Sequence, residues 1–368
     1  MSNKEKDMKI PTGAGALTAV WLTNALRTSN TIREATVTAF AVDPLGDEQG
    51  ITGQLARVRL TYDKQETGAP QSLIAKFPAT DAETRNIFRS HYLREVGFYQ
   101  ELAPKTKLRT PHCYYSSLDV DTLDYVLLLE DLAPARSGDW VAGCTLAEAE
   151  LAIRQIAEFH ATWWARPELT QMMWLLPPGL DSFAQAQASY KRQLRPFLDK
   201  MAGRIPDALL AIGERVGEQY ITILQRVHGR PQTILHKDYQ LGNLFFNAPA
   251  SDSPLIVIDW QGITLGLGVF DVATFLGGNI APHERRAKEM EFLKLYHAIL
   301  VDNGVQNYSF EQCFEDYRFC MLYMVIRYVL VVGGDFLTPE QEAMFVKTIV
   351  PRYMAAVLDL KADEVLPR

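Results

Sequence analysis

The block from His236 to Asp259 restricts this chain more than any other stretch. Ile234-Leu235 leads into His236-Lys237-Asp238-Tyr239-Gln240-Leu241-Gly242-Asn243, and Leu255-Ile256-Val257-Ile258 ends in Asp259-Trp260-Gln261. An acid is followed five residues later by a neutral amide, and a strand of buried type then delivers a second acid. Such oxygen donors suit Mg²⁺, which takes one or two carboxylates plus substrate phosphates and keeps several waters. Asn243 and Asp259 are the candidate metal ligands, which leaves Asp238 to orient or deprotonate an attacking hydroxyl.

H-x-D-x-x-x-x-N is the spacing of a kinase catalytic loop. A lone H-x-D is common by chance, and Asp259 alone could cap a helix; the set of three residues between two strands carries the reading. His236 is expected to be structural, orienting the loop. Kinases also need a strand lysine for the α/β-phosphates and a helix glutamate to hold it. Leu73-Ile74-Ala75-Lys76 supplies the first. A lysine inside an apolar strand needs a partner unless it lies on an edge, because an unpaired buried charge is unfavourable. Glu95 is the expected partner, with Glu83, nearer the helix start, as competitor.

The phosphate loop is atypical. Between two strands lies Gly46-Asp47-Glu48-Gln49-Gly50-Ile51-Thr52-Gly53. Gly50 and Gly53 either let backbone amides approach phosphates or serve as hairpin turn residues. Asp47 and Glu48 would repel phosphate, so contact is expected from the Gly50–Gly53 end. The absence of G-x-x-x-x-G-K-[ST] argues against a P-loop NTPase, and Gly13-Ala14-Gly15 follows no strand.

Around this block the chain reads as α+β. Residues 16–27 read as a helix, and residues 37–42, 55–62 and 72–77 alternate as an antiparallel meander. Residues 84–102 carry apolar positions at helical spacing, and residues 125–129 form an apolar strand. Beyond Asp131 helices dominate. Residues 145–164 open on Thr145 and Glu148, a capping-box pattern, and residues 181–228 read as one or two helices interrupted near Ile205-Pro206. Short strands are expected at 243–246 and 255–258. The domain reading is a tail and helix over 1–30, a small antiparallel-sheet N-lobe over 31–131 and a larger helical C-lobe over 132–368.

Composition narrows the partners. The 368 residues carry a net charge of −7, which offers no overall positive field for nucleic acid. The four cysteines form no C-x-x-C pair, which fits a reducing compartment. The N-terminus lacks the apolar core of a signal peptide. Residues 320–332 are apolar but too short to span a bilayer and are interrupted by Arg327. A cytoplasmic protein with no membrane or nucleic-acid partner is expected; the oligomeric state is left open.

His236 to Asn243 with Ile258-Asp259-Trp260-Gln261 resembles the aminoglycoside phosphotransferase superfamily, with most similarity to its ecdysteroid-kinase and CHK-kinase-like branch. Phe40-Ala41-Val42-Asp43-Pro44-Leu45-Gly46, Arg94-Glu95-Val96-Gly97-Phe98-Tyr99 and Phe270-Asp271-Val272-Ala273-Thr274-Phe275-Leu276 also match that branch. The resemblance spans residues 16–345. It implies a bilobal protein-kinase-like fold with ATP between the lobes. It also implies the roles given above for Asp238, Asn243, Asp259, Lys76 and Glu95. By the same resemblance, Glu130 to Leu132 would receive adenine through backbone groups, and Asp271 would brace the catalytic loop. There are two departures. Lys237 stands where glycine is usual, to meet the γ-phosphate or point to solvent, and Gln261 stands where others often carry an acid. No A-P-E segment follows, which argues against a protein substrate.

The expected function is therefore an ATP- and Mg²⁺-dependent phosphotransferase acting on a hydroxyl of a small molecule. The alternative is a nucleotide-binding, pseudokinase-like module without turnover. The acceptor is expected to bind in the helical lobe. Aromatic residues there, such as Trp163, Trp164, Trp174, Phe183, Tyr190, Tyr317, Phe319 and Tyr323, are more often core than pocket. Their number still leans towards a bulky, partly apolar acceptor over a polycation.

Overall fold

Period-two alternation in the meander decides which side chains meet. Val58 and Leu60 on one strand, Leu73, Ala75 and Phe77 on the next, and Val126 and Leu128 on a third point to one face. There they bury against Trp21, Leu22, Ala25 and Leu26 of the first helix. Each fully buried large apolar side chain contributes about 1.5–3 kcal/mol. The intervening positions, including Ile74 and Lys76, fall on the opposite face.

The structure, a computed structural model, describes residues 8–45, 53–247, 253–335 and 337–366. It divides into two units. One comprises residues up to Ala135 together with Ile258–Gly262, and the other Arg136–Val257 with Ile263–Arg368.

The first unit holds β1 (Val37–Pro44), β2 (Gly53–Tyr62), β3 (Ser72–Pro78), β4 (Cys113–Leu118) and β5 (Tyr125–Glu130) in a single antiparallel sheet of order β1-β2-β3-β5-β4. Helix α1 (Ala19–Thr28) starts at Thr18, whose side chain accepts from the Trp21 N–H at 3.0 Å. The single helix expected over 84–102 is instead broken. It consists of α2 (Ala82–Ile87), a non-helical Phe88 (φ −94°, ψ 11°), α3 (Arg89–Gly97) and a π-helical turn Phe98–Leu102. Asp131 fastens the end of the sheet, accepting from Arg57 Nε and Ser72 Oγ, each at 2.7 Å.

The second unit is mostly helical. Two short ladders frame the chemistry-bearing block: β6 (Thr233–Leu235) pairs with β9 (Thr264–Gly266), and β7 (Leu244–Phe246) with β8 (Leu255–Val257). Helix α4 (Leu146–Thr162) opens on the expected capping box of Thr145 and Glu148. Residues 181–228 fold as α5 (Leu180–Lys200), α6 (Ala208–Glu218) and α7 (Tyr220–Val227), one helix more than expected because a second break falls at Gln219. Then come α8 (Val269–Asn279), α9 (Pro282–Asp302), α10 (Phe310–Gly333), α11 (Pro339–Met344) and α12 (Val350–Asp359). Helix α10 packs against α5, α7, α8 and α12, with Cys320, Met321, Met324, Val325 and Val329 buried. Trp163, Phe183, Tyr190, Tyr317 and Phe319 are core residues. Among the described residues no helix is long and apolar enough to cross a membrane.

Candidate active site

In the sheet unit the pleat turns Lys76 away from the α1 core and towards α3. Its Nζ lies 2.5 Å from Glu95 Oε1 and 3.2 Å from Asp259 Oδ1. Burial works against the Lys76 charge, but Glu95 and Asp259 outweigh it and hold its pKa above the ordinary lysine value. The competitor Glu83 is exposed in the first turn of α2. Asp259 adopts φ +65°, a left-handed conformation that non-glycine residues seldom take. Its neighbours hold it there. Gln261 Nε2 donates to Asp259 Oδ2 at 3.2 Å, and Trp260 stacks on Phe98 with ring centroids 3.9 Å apart and planes 8° from parallel. The π turn after α3 is what places Phe98 for that stack.

In the helical unit the loop after β6 is pinned from below. Asp271, fully buried in α8, accepts from the His236 N–H at 2.7 Å and the Lys237 N–H at 2.9 Å, and its Oδ2 lies 3.2 Å from His160 Nε2. His236 Nδ1 accepts from the Asp238 N–H at 3.2 Å, the loop-orienting role expected for it. Asn279 Oδ1 accepts from the Leu241 N–H at 2.9 Å. Asn243 Nδ2 then donates to both the Asp238 carbonyl (2.9 Å) and Asp238 Oδ2 (3.0 Å). Because both partners are acceptors, the amide must turn its nitrogen to Asp238 and its oxygen the other way.

Arg327 of α10 completes this loop. Its Nη2 donates to Asp238 Oδ1 at 2.5 Å and its Nη1 to the Lys237 carbonyl at 3.1 Å. Burial disfavours the Asp238 charge. Arg327, backed by His236 and Asn243, more than offsets that and holds the carboxyl below its ordinary value. Lys237 takes φ +74°, a conformation natural to glycine. Its ammonium rests on aromatic groups: Nζ donates to Tyr323 Oη at 3.0 Å and lies 4.6 Å from the Tyr323 ring centroid and 5.3 Å from that of Phe270.

The remaining candidate residues fall elsewhere. Gly50 lies outside the described residues. Gly53 opens β2, and a Cβ there would sit 2.3 Å from the Phe77 carbonyl oxygen, so close strand packing alone requires glycine. The Glu130 carboxylate is held by Arg109 and by the His112 N–H, and its own N–H donates to the His112 carbonyl at 2.8 Å. The Leu132 carbonyl accepts from the Ala135 N–H at 2.9 Å. The Glu130 N–H is therefore already used, whereas the Leu132 carbonyl keeps a second lone pair.

A family model matches residues 48–306, that of the ecdysteroid kinase-like family. The chain belongs to the ecdysteroid kinase-like family. No curated protein matches it. Among solved structures, a choline kinase from Cryptosporidium parvum is similar at TM-score 0.56 and 12% identity, over 94% of this chain and 97% of that one. An ethanolamine kinase from Plasmodium vivax is similar at TM-score 0.52 and 11% identity, over 97% and 91%. A candidate aminoglycoside phosphotransferase from Ralstonia eutropha gives TM-score 0.53 and 16% identity, over 94% and 99%. These likenesses establish a kinase-like fold for this family member.

Each unit by itself supplies an oxygen donor: the Asn243 amide oxygen in the helical unit and the Asp259 carboxylate in the sheet unit; no group of three or more His, Cys, Asp or Glu poised to hold a metal occurs among the described residues. Mg²⁺ characteristically relies on one or two carboxylates plus substrate phosphates instead of an all-protein cage. The sequence reading names Tyr323 only among the aromatic residues of the helical lobe, and it does not point to Arg327, His160 or Asn279 as parts of the site. Arg327 carried a signal, being the charge that interrupts the apolar run 320–332.

Proposed function

We propose that this protein is a small-molecule kinase that transfers the γ-phosphoryl group of ATP to a hydroxyl, with Mg²⁺ as cofactor. The observation that carries this reading is Lys76, paired at once with Glu95 and Asp259. A strand lysine held by a helix glutamate beside a metal-binding aspartate is the arrangement phosphoryl transfer in this fold requires.

Asp238 receives or orients the acceptor hydroxyl. The hydroxyl oxygen forms a bond to the γ-phosphorus as the bond from that phosphorus to the β,γ-bridging oxygen breaks. The hydroxyl proton passes to the Asp238 carboxylate and ADP departs. Lys76 would hold the α/β-phosphates, and Asn243 and Asp259 would serve as metal ligands. Mg²⁺, when bound, offsets charge on the phosphate oxygens. Adenine is assigned to backbone groups in the Glu130–Leu132 segment. The similar choline and ethanolamine kinases are named for small alcohol acceptors, which supports a small-molecule acceptor here. The four cysteines, all unpaired, fit a reducing, cytoplasmic setting.

The test is ADP release from ATP·Mg²⁺ across a panel of alcohols. Asp238→Asn should lower kcat by about 10²–10⁴ while leaving ATP affinity within a few-fold, and chelation of Mg²⁺ should abolish turnover. Turnover indifferent to Asp238→Asn would sink the role of Asp238. Failure to bind ATP would sink the proposal altogether.

A further inference from the structure

Asp238 is the residue an acceptor must reach, and within its own unit one cation pairs with it and the residue before it is a second. Arg327 Nη2 is 2.5 Å from its Oδ1, and the neighbouring Lys237 carries its ammonium on Tyr323, one helical turn before Arg327 on α10. We propose that Arg327, aided by Lys237, makes this site selective for alcohols that carry an anionic group, carboxylate or phosphate, near the reacting hydroxyl. The hydroxyl part of that statement rests on the kinase reading; the charge selectivity rests on the helical unit alone.

Arg327 is only partly committed. A guanidinium has five N–H donors in a planar fork. One meets Asp238 Oδ1 and one the Lys237 carbonyl, and the others have no protein partner among the described residues. Its side chain is 24% exposed and that of Asp238 30%, so both reach solvent. Free edges of such a fork match carboxylate and phosphate with paired hydrogen bonds. Lys237 adds a second charge from a backbone conformation that glycine would adopt without strain.

The local charge balance points the same way. Among the described residues of the helical unit, the partly exposed carboxylate that pairs with Arg327 is Asp238. The other nearby carboxylate, Asp271, is fully buried and directed at the His236 and Lys237 N–H groups and His160. His236 faces Asp238 from its own loop, and Tyr328 and Tyr353 lie around Arg327. An ammonium approaching Asp238 meets repulsion, whereas an anion is attracted. By engaging the guanidinium, the anion also loosens the hold on Asp238 Oδ1, leaving that oxygen for the hydroxyl.

The test uses the full chain and four probes with one carbon skeleton: glycerol, 3-amino-1,2-propanediol, glycerate and glycerol 3-phosphate. Binding is followed by ligand-observed NMR at constant ionic strength, up to tens of millimolar. Glycerate or glycerol 3-phosphate should bind at least tenfold tighter than the neutral and cationic probes. Arg327→Met should remove that preference, Arg327→Lys should keep part of it, and Lys237→Met should weaken it less. If Arg327→Met fails to fold, the double variant Arg327→Met/Asp238→Asn removes both members of the ion pair and makes the same comparison. The proposal is overturned if the amine or glycerol binds as tightly as the anions, if the preference survives Arg327→Met, or if none of the four saturates. ADP release is read separately, so a protein that keeps charge selectivity without phosphoryl transfer defeats the kinase reading and leaves this one standing.

Discussion

The role proposed for Asp238 sets two demands against each other: a proton acceptor works best near the working pH, yet Arg327 holds this carboxyl below its ordinary value, near 3.9 in unfolded chains. The acid limb of kcat/KM that reports Asp238 should therefore lie below the usual carboxylate range. Arg327→Met should move it upward, which a pH–rate profile reads directly. The linkage has a definite sign. A carboxyl whose folded pKa is depressed stabilises the fold above its unfolded pKa, and that stabilisation is lost as pH falls through the folded value. The stability gap between wild type and Arg327→Met should be about 1.5–3 kcal/mol near neutrality and shrink below about pH 4. Lys237 permits a second comparison. Glycine is ordinarily less stabilising than alanine, but at φ +74° alanine keeps a strain of about 1 kcal/mol that glycine does not. Both substitutions forfeit the Tyr323 and Phe270 contacts equally. Lys237→Gly should thus melt above Lys237→Ala, as thermal unfolding would measure; the reverse order would mean the backbone relaxes when the side chain is removed.

At the scale of elements, local signals were legible where they were strong. The capping box at Thr145 and Glu148 starts α4 as expected, and Thr145→Ala should lower stability by about 1 kcal/mol. Denaturant titration would check it. Alternation placed β1, β2 and β3, and their pairing set Lys76 on the face opposite the apolar core. What escaped notice lacked a period. Every residue of β4 is half-buried, so this edge strand shows no alternation, and β6 and β9 have too few residues to display any. The break at Phe88 is invisible because Ile87 and Phe88 continue the helical apolar spacing even though Ile87 is exposed. The site divides likewise. Asp238, Asn243 and Asp259 share one readable block, and Asp271 was read through family resemblance. Arg327 and Asn279 reach the loop only through tertiary packing of α10 and α8.

At the scale of the whole molecule, the sheet unit is discontinuous in sequence: it includes Ile258–Gly262. Trp260 is fully buried and stacked on Phe98, and Asp259 reaches Lys76. A fragment ending at Ala135 would lack both. It should expose Phe98 on the π-helical turn, bind a hydrophobic dye and unfold without a sharp transition. A fragment with native-like cooperativity would show that α1 and the sheet suffice. The same discontinuity bears on how the protein is made. At roughly 5–20 residues per second, the ribosome must add residues 136–257 after the last strand of the sheet before Trp260 exists. For a time on the order of ten seconds the nascent sheet waits with Phe98 uncovered, a window in which chaperones have an apolar surface to hold.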